Sequence, residues 1–186
     1  EDGVSPNSDA ETYAALRFEI DSWRWADVPF FIRTGKRMPV TATEVIATFL
    51  RPPQRLFAET LPPRANYLRF RLGPDRIAIA LGVRTKDAGE AMVGEETELY
   101  ACNSRTDEMT PYERLLGDAM RGDATLFARQ DSVEVAWDIV DRLLASGPQA
   151  VRYASGSWGP DGAARMVERF GGWYDPPSVT ISTPCG

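Results

Sequence analysis

The chain holds 186 residues, 43% hydrophobic and 26% charged, an ordinary soluble composition with enough length for one domain and a sizeable core. Its formal net charge of -6 leaves no global basic surface to neutralise a nucleic-acid backbone or an anionic membrane, and no apolar run reaches the roughly 20 residues that a spanning helix needs. Histidine is absent, which removes the usual general base near neutral pH and the commonest metal ligand.

Residues 1 to 8 read as a polar lead-in, and their acidic start lacks the basic end and apolar stretch of a signal peptide, so a cytoplasmic protein is expected. Thr12 to Ile20 is ambiguous: Ala14, Leu16, Phe18 and Ile20 alternate, while Ala15, Leu16 and Glu19 also suit a helix. Trp23 to Lys36 joins an apolar, aromatic run to an abruptly basic turn, Arg33-Thr34-Gly35-Lys36-Arg37. Glu44 to Arg51 reads as a strand. Gln54 to Asn66, rich in Pro and Arg, reads as a loop. Tyr67 to Leu72 and Arg76 to Arg84 alternate apolar with charged or small residues around Gly73-Pro74-Asp75, which predicts an antiparallel hairpin. Ala78, Ala80 and Gly82 on one face of its second strand admit close approach by a helix or a second subunit, or meet a simple packing need.

The later half is helical. Thr110-Pro111-Tyr112-Glu113 forms a capping box with Pro at the first helical position and opens a helix that stops at Gly122. Asp131 with Glu134 repeats the signature before an apolar stripe of Val133, Ala136, Trp137, Val140 and Leu144 that ends near Gly147-Pro148. A short helix over Asp161 to Phe170 ends at Gly171, and residues 175 to 186 read as an extended tail. No repeat or linker divides the chain, so residues 1 to 186 are expected to form a single domain. Strands followed by helices, without regular βαβ alternation, predict the α+β class.

Arginines number 19 and lysines only two, Lys36 and Lys86, so a lysine directly after a glycine stands out. The turn sets three cations around Gly35, where an anion could approach closely, although a solvated basic turn fits the same residues. It is not a P-loop, because Phe30 stands where that motif needs glycine and Arg37 where it needs Ser or Thr. No Gly-x-Gly-x-x-Gly segment follows a strand, so a dinucleotide would have to be held elsewhere. Glu90, Glu95, Glu96 and Glu98 match no calcium loop and read as an exposed charged strand. Trp137, Trp158, Trp173 and Tyr174 read as core or interface anchors. Cys102 and Cys185 are isolated and are expected to be free thiols, offering no metal set.

The ordered segments Trp23-Arg24-Trp25-Ala26-Asp27-Val28-Pro29-Phe30, Arg33-Thr34-Gly35-Lys36, Phe49-Leu50-Arg51-Pro52-Pro53, Pro111-Tyr112-Glu113-Arg114-Leu115-Leu116, Gly122-Asp123-Ala124-Thr125-Leu126-Phe127, Ala136-Trp137 and Gly156-Ser157-Trp158-Gly159-Pro160 resemble the C-terminal part of the glucose-6-phosphate dehydrogenase family. The resemblance resolves Thr12 to Ile20 as strand. It implies a large, mainly antiparallel β-sheet with helices packed on one face, the other face commonly serving as the subunit interface of a homo-oligomer. In that family, hydride passes from C1 of glucose 6-phosphate to NADP while a histidine removes the hydroxyl proton, giving the lactone that begins the pentose phosphate pathway. The histidine and the nucleotide-binding domain lie N-terminal to the region matched, so this chain alone is expected to be inactive, with no catalytic residue of its own.

Lys36 matches the family lysine that reaches the sugar phosphate. Two departures bear on substrate binding: Thr41 stands where a second basic residue is common, and Gly73 where a glutamine lies near the substrate, while Arg37 is a neighbouring cation. Animal members bind a second, structural NADP here. Arg33 and Arg71 match that site, whereas Trp158 replaces its arginine and Ala42 its lysine, so the resemblance implies no such ligand. The alternative is a stand-alone, non-catalytic binding or assembly module derived from the same domain.

Overall fold

The computed structural model describes residues 5, 8, 10–54, 64–74, 77–89, 92–103, 109–147 and 149–176. The chain divides into two compact units, Glu1–Ser104 with Arg152–Gly186, and Arg105–Val151.

The first unit contains two antiparallel sheets. Strand β1 (Tyr13–Phe18) pairs with β2 (Phe30–Gly35), Tyr13 opposite Gly35 and Phe18 opposite Phe30. Thr12 to Ile20 therefore contains a strand, as the resemblance implied. The other sheet has the order β3 (Thr43–Thr48), β4 (Tyr67–Gly73), β5 (Ile77–Lys86), β6 (Gly94–Asn103), every neighbour antiparallel. The α+β class and the antiparallel pairing are as expected, and the hairpin of β4 and β5 forms with a cis Gly73–Pro74 bond at the end of β4.

Successive side chains on a strand point to opposite faces, and the larger sheet sorts them sharply. Glu44, Tyr67, Arg69, Arg71, Ala78, Ala80, Gly82 and Glu98 share one face by register, while Val45, Phe70, Leu72, Ile77, Ile79 and Leu99 share the other. The charged face is the buried one: Tyr67, Arg69, Ala78 and Ala80 are all nearly closed to solvent, whereas Leu72, Ile77 and Leu99 stand half exposed. Small residues on β5 make this possible. A Cβ built on Gly82 would lie 2.3 Å from Cε1 of Tyr67, so at that position the room is taken by a side chain of β4.

Those side chains neutralise one another. Arg71 Nη1 donates to Glu44 Oε1 at 2.9 Å, Arg69 Nε lies 3.1 Å from Glu98 Oε1, and the Tyr67 hydroxyl donates to the same Glu98 oxygen at 2.9 Å. Glu98 is thereby removed from the expected surface cluster; Glu95 and Glu96 are exposed, and Glu90 lies outside the described residues. Tyr174 closes over Tyr67 with ring centroids 4.6 Å apart. Cys102, at the end of this face on β6, is not the free thiol expected, because it is disulfide-bonded; Cys185 lies outside the described residues.

Helix α3 (Asp161–Val167) and the 3₁₀ turn Glu168–Phe170 end at Gly171, whose φ of 95° supplies the left-handed residue anticipated there. Ala163 and Val167 are buried, and the Trp173 indole donates to the Ala163 carbonyl at 2.9 Å. The returning chain meets β2 through Phe31, which packs 5.0 Å from Phe170 and 6.4 Å from Trp173.

The second unit holds α1 (Pro111–Arg121) and α2 (Gln130–Ala145). The α1 cap is realised in full: Glu113 N–H donates to Thr110 Oγ1, Thr110 N–H donates to Glu113 Oε2, and Gly122 closes the helix at φ 70°. The second capping box does not form. Arg129 is the N-cap of α2 without a side-chain bond, and Asp131 sits inside the first turn, bound instead by the Arg129 guanidinium at 2.5 Å. The apolar stripe of α2 is exposed at Val133, Trp137 and Leu144. The expected loop at 54–66, the lead-in and the tail fall mostly outside the described residues.

Candidate functional site

Lys36 follows the last residue of β2, where the strand ends in a turn held from two sides. Its own N–H donates to the Thr12 carbonyl at 2.8 Å, and its carbonyl accepts from the Tyr153 hydroxyl at 2.8 Å. The next carbonyl, of Arg37, accepts from Gly156 N–H at 2.8 Å. Arg37 adopts φ 49°, a left-handed conformation costly for a residue with a side chain, and these bonds hold it there. Gly35 is required by space rather than by φ: a Cβ there would lie 2.6 Å from Cδ2 of Tyr13.

The fixed backbone leaves the side chain free. Lys36 is exposed, and no described residue takes a hydrogen bond or ion pair from its ammonium. A compact cation with three donors and no internal partner suits an incoming phosphate dianion.

The three cations expected around Gly35 do not act together. Arg33 turns away into the unit, its guanidinium 4.5 Å from the Trp158 ring centroid and 4.8 Å from that of Trp173, and it pairs with Asp175. Its side chain is 9% exposed, so it is a structural cation sealed between two indoles. Trp158, Trp173 and Tyr174 are therefore packing anchors, as read from sequence, while Trp137 is exposed.

Behind the turn, Tyr13 and Tyr153 lie with ring centroids 5.3 Å apart. Burial pushes the Tyr13 hydroxyl pKa up, against the opposing field of the Arg33 guanidinium, and that hydroxyl has no hydrogen-bond partner. Tyr153 was missed by sequence reading. Its contact with Lys36 spans 117 positions and leaves no local pattern; the only signal was the nearby Gly156-Ser157-Trp158-Gly159 run.

Thr41 is exposed, and a Cβ at Gly73 would meet open space. Arg71 is engaged with Glu44. Among the described residues no group of three or more Cys, Asp or Glu is placed to hold a metal, and no helix is long and apolar enough to cross a membrane.

The sequence model of the glucose-6-phosphate dehydrogenase C-terminal domain matches residues 1–175. The chain belongs to this family. Among relatives, the glucose-6-phosphate 1-dehydrogenase of Aggregatibacter actinomycetemcomitans is 44% identical over 183 residues, covering 96% of this chain and 37% of that protein. One from Mycobacterium tuberculosis is 39% identical over 176 residues, covering 94% of this chain and 37% of its own. The crystal structure of the Mycobacterium avium enzyme superposes with a TM-score of 0.82 at 36% identity, covering 94% of this chain and 37% of that one. A glucose-6-phosphate dehydrogenase in complex with glucose 6-phosphate gives a TM-score of 0.75 at 30% identity, with the same coverage. This C-terminal domain thus spans little more than a third of the length of the relatives it matches.

Proposed function

We propose that this chain is the C-terminal portion of an NADP-dependent glucose-6-phosphate dehydrogenase, and that Lys36 receives the 6-phosphate of the substrate. The observation that carries the reading is the exposed ammonium of Lys36, without a partner among the described residues, on a backbone fixed at both its N–H and its carbonyl. The kinship supports it, since one solved relative is described in complex with glucose 6-phosphate.

In this reading residues 1 to 186 act as one domain of a longer cytoplasmic enzyme. The part of the parent outside this chain holds NADP, whose nicotinamide accepts the hydride from C1 of the sugar, and supplies the histidine that takes the hydroxyl proton. The chain's own work is to bind and orient: Lys36 anchors the phosphate so that C1 reaches the cofactor, and the isolated chain is inactive. Its sheet also contributes to a homo-oligomer interface, a role favoured by the half-exposed apolar side chains of Leu72, Ile77 and Leu99.

Replacing Lys36 by Ala in the full-length enzyme removes a charge-assisted contact, so KM for glucose 6-phosphate should rise about 10- to 100-fold while KM for NADP stays within about twofold. Unchanged steady-state kinetics would sink the assignment of Lys36. A non-catalytic assembly module is the second reading, favoured by Thr41 and by the empty space at Gly73; glucose 6-phosphate binding by the isolated chain, read by calorimetry, counts against it.

A further inference from the structure

We propose that Tyr153 is a positioning residue for Lys36, acting through the Lys36 carbonyl; the inference rests on Lys36 as the phosphate-binding lysine.

The Tyr153 hydroxyl lies 2.8 Å from the Lys36 carbonyl, 3.2 Å from the Thr12 carbonyl and 3.4 Å from Thr12 Oγ1. A hydroxyl has one proton to give, and the shortest of these contacts is the one to Lys36. Lys36 N–H reaches the same Thr12 carbonyl, so Thr12, Lys36 and Tyr153 close a ring of polar contacts around one peptide unit. The turn cannot hold itself. Arg37 sits at φ 49°, which a side-chain-bearing residue keeps only under external restraint, and the restraints come from the segment that carries Tyr153 and Gly156.

Fixing the backbone of Lys36 fixes where its flexible stem begins. The ammonium makes no hydrogen bond or ion pair with a described residue, so the fixed backbone is what sets its placement among them before substrate arrives. Loss of the Tyr153 hydroxyl frees the Lys36 carbonyl, lets the turn leave its left-handed conformation and spreads the ammonium over more positions. Substrate must then order it on binding, which weakens affinity without touching the hydride step. The nearby Tyr13 hydroxyl offers a matched control, because it is equally phenolic, lies in the same ring pair and bonds nothing.

The test uses the full-length enzyme, the variants Tyr153→Phe, Tyr13→Phe, Lys36→Ala and the double variant Tyr153→Phe/Lys36→Ala, and a replacement of Tyr153 by 4-aminophenylalanine. Tyr153→Phe keeps its ring on Tyr13 and should raise KM for glucose 6-phosphate about 3- to 10-fold, with kcat and KM for NADP within about twofold. Tyr13→Phe should leave all three unchanged. In the Lys36→Ala background Tyr153→Phe should add nothing, since the side chain it positions is gone. Placing 4-aminophenylalanine at 153, which restores a donor, should return KM toward the parent value and serves also if the Phe variant folds poorly. Lys36→Ala effective with Tyr153→Phe silent overturns this inference alone, as does an undiminished Tyr153→Phe effect in the Lys36→Ala background. Lys36→Ala without effect removes the reading of Lys36 and this inference with it.

Discussion

Arg33 and Lys36 stand three positions apart on one segment, and their surroundings give them opposite tasks. Arg33 is a planar cation, suited to stacking, and lies between Trp158 and Trp173 against Asp175; Lys36 is a point charge left in solvent. A second residue with a legible role is Tyr67, whose hydroxyl is pushed up to about 12 by burial and by its hydrogen bond to Glu98. Its folded pKa lies above the ordinary tyrosine value, so the stability contributed by the neutral hydroxyl is fully present below pH 10 and drains away as pH climbs through about 12. Urea melts of the chain should therefore show a stability loss over that window that is smaller in Tyr67→Phe; identical pH profiles would contradict the assignment.

At the level of elements, the four-stranded sheet depends on small residues beneath large polar ones. Gly82→Ala would press a methyl carbon into the Tyr67 ring, and overpacking of this kind costs about 1–3 kcal/mol. Chemical denaturation should register that loss, and a neutral result would mean that Tyr67 does not sit where the sheet places it. Strands β4 and β5 were readable because their side chains alternate in chemistry between the two faces, and β3 because Glu44 to Arg51 is rich in β-branched residues. Strand β2 was not assigned, since aromatics cover both of its faces: Phe30 packs on Phe18 and Trp25, Phe31 on Phe170 and Trp173, and the run Phe30-Phe31-Ile32 loses all period. The cap of α1 followed its motif, whereas Asp131 had the right spacing and a closer partner in Arg129. Lys36 was visible as a rare lysine beside a glycine, but its support by Tyr153 depends on a crossing far along the chain.

For the whole molecule, two compact units are both covered by one family match over residues 1–175, and together they span 37% of the length of their relatives. Apolar side chains are exposed on the sheet, at Val45, Leu72, Ile77 and Ile79, and on α2, at Val133, Trp137 and Leu144. In the proposed function, oxidation of the sugar belongs to a longer protein and binding of its phosphate to this portion. The most direct measurement is NADP reduction, followed by absorbance, by the full-length protein that contains this chain, titrated with glucose 6-phosphate before and after Lys36→Ala. The account predicts turnover that depends on glucose 6-phosphate and a variant that needs about 10- to 100-fold more of it. A folded full-length protein that reduces no NADP with this substrate would contradict it.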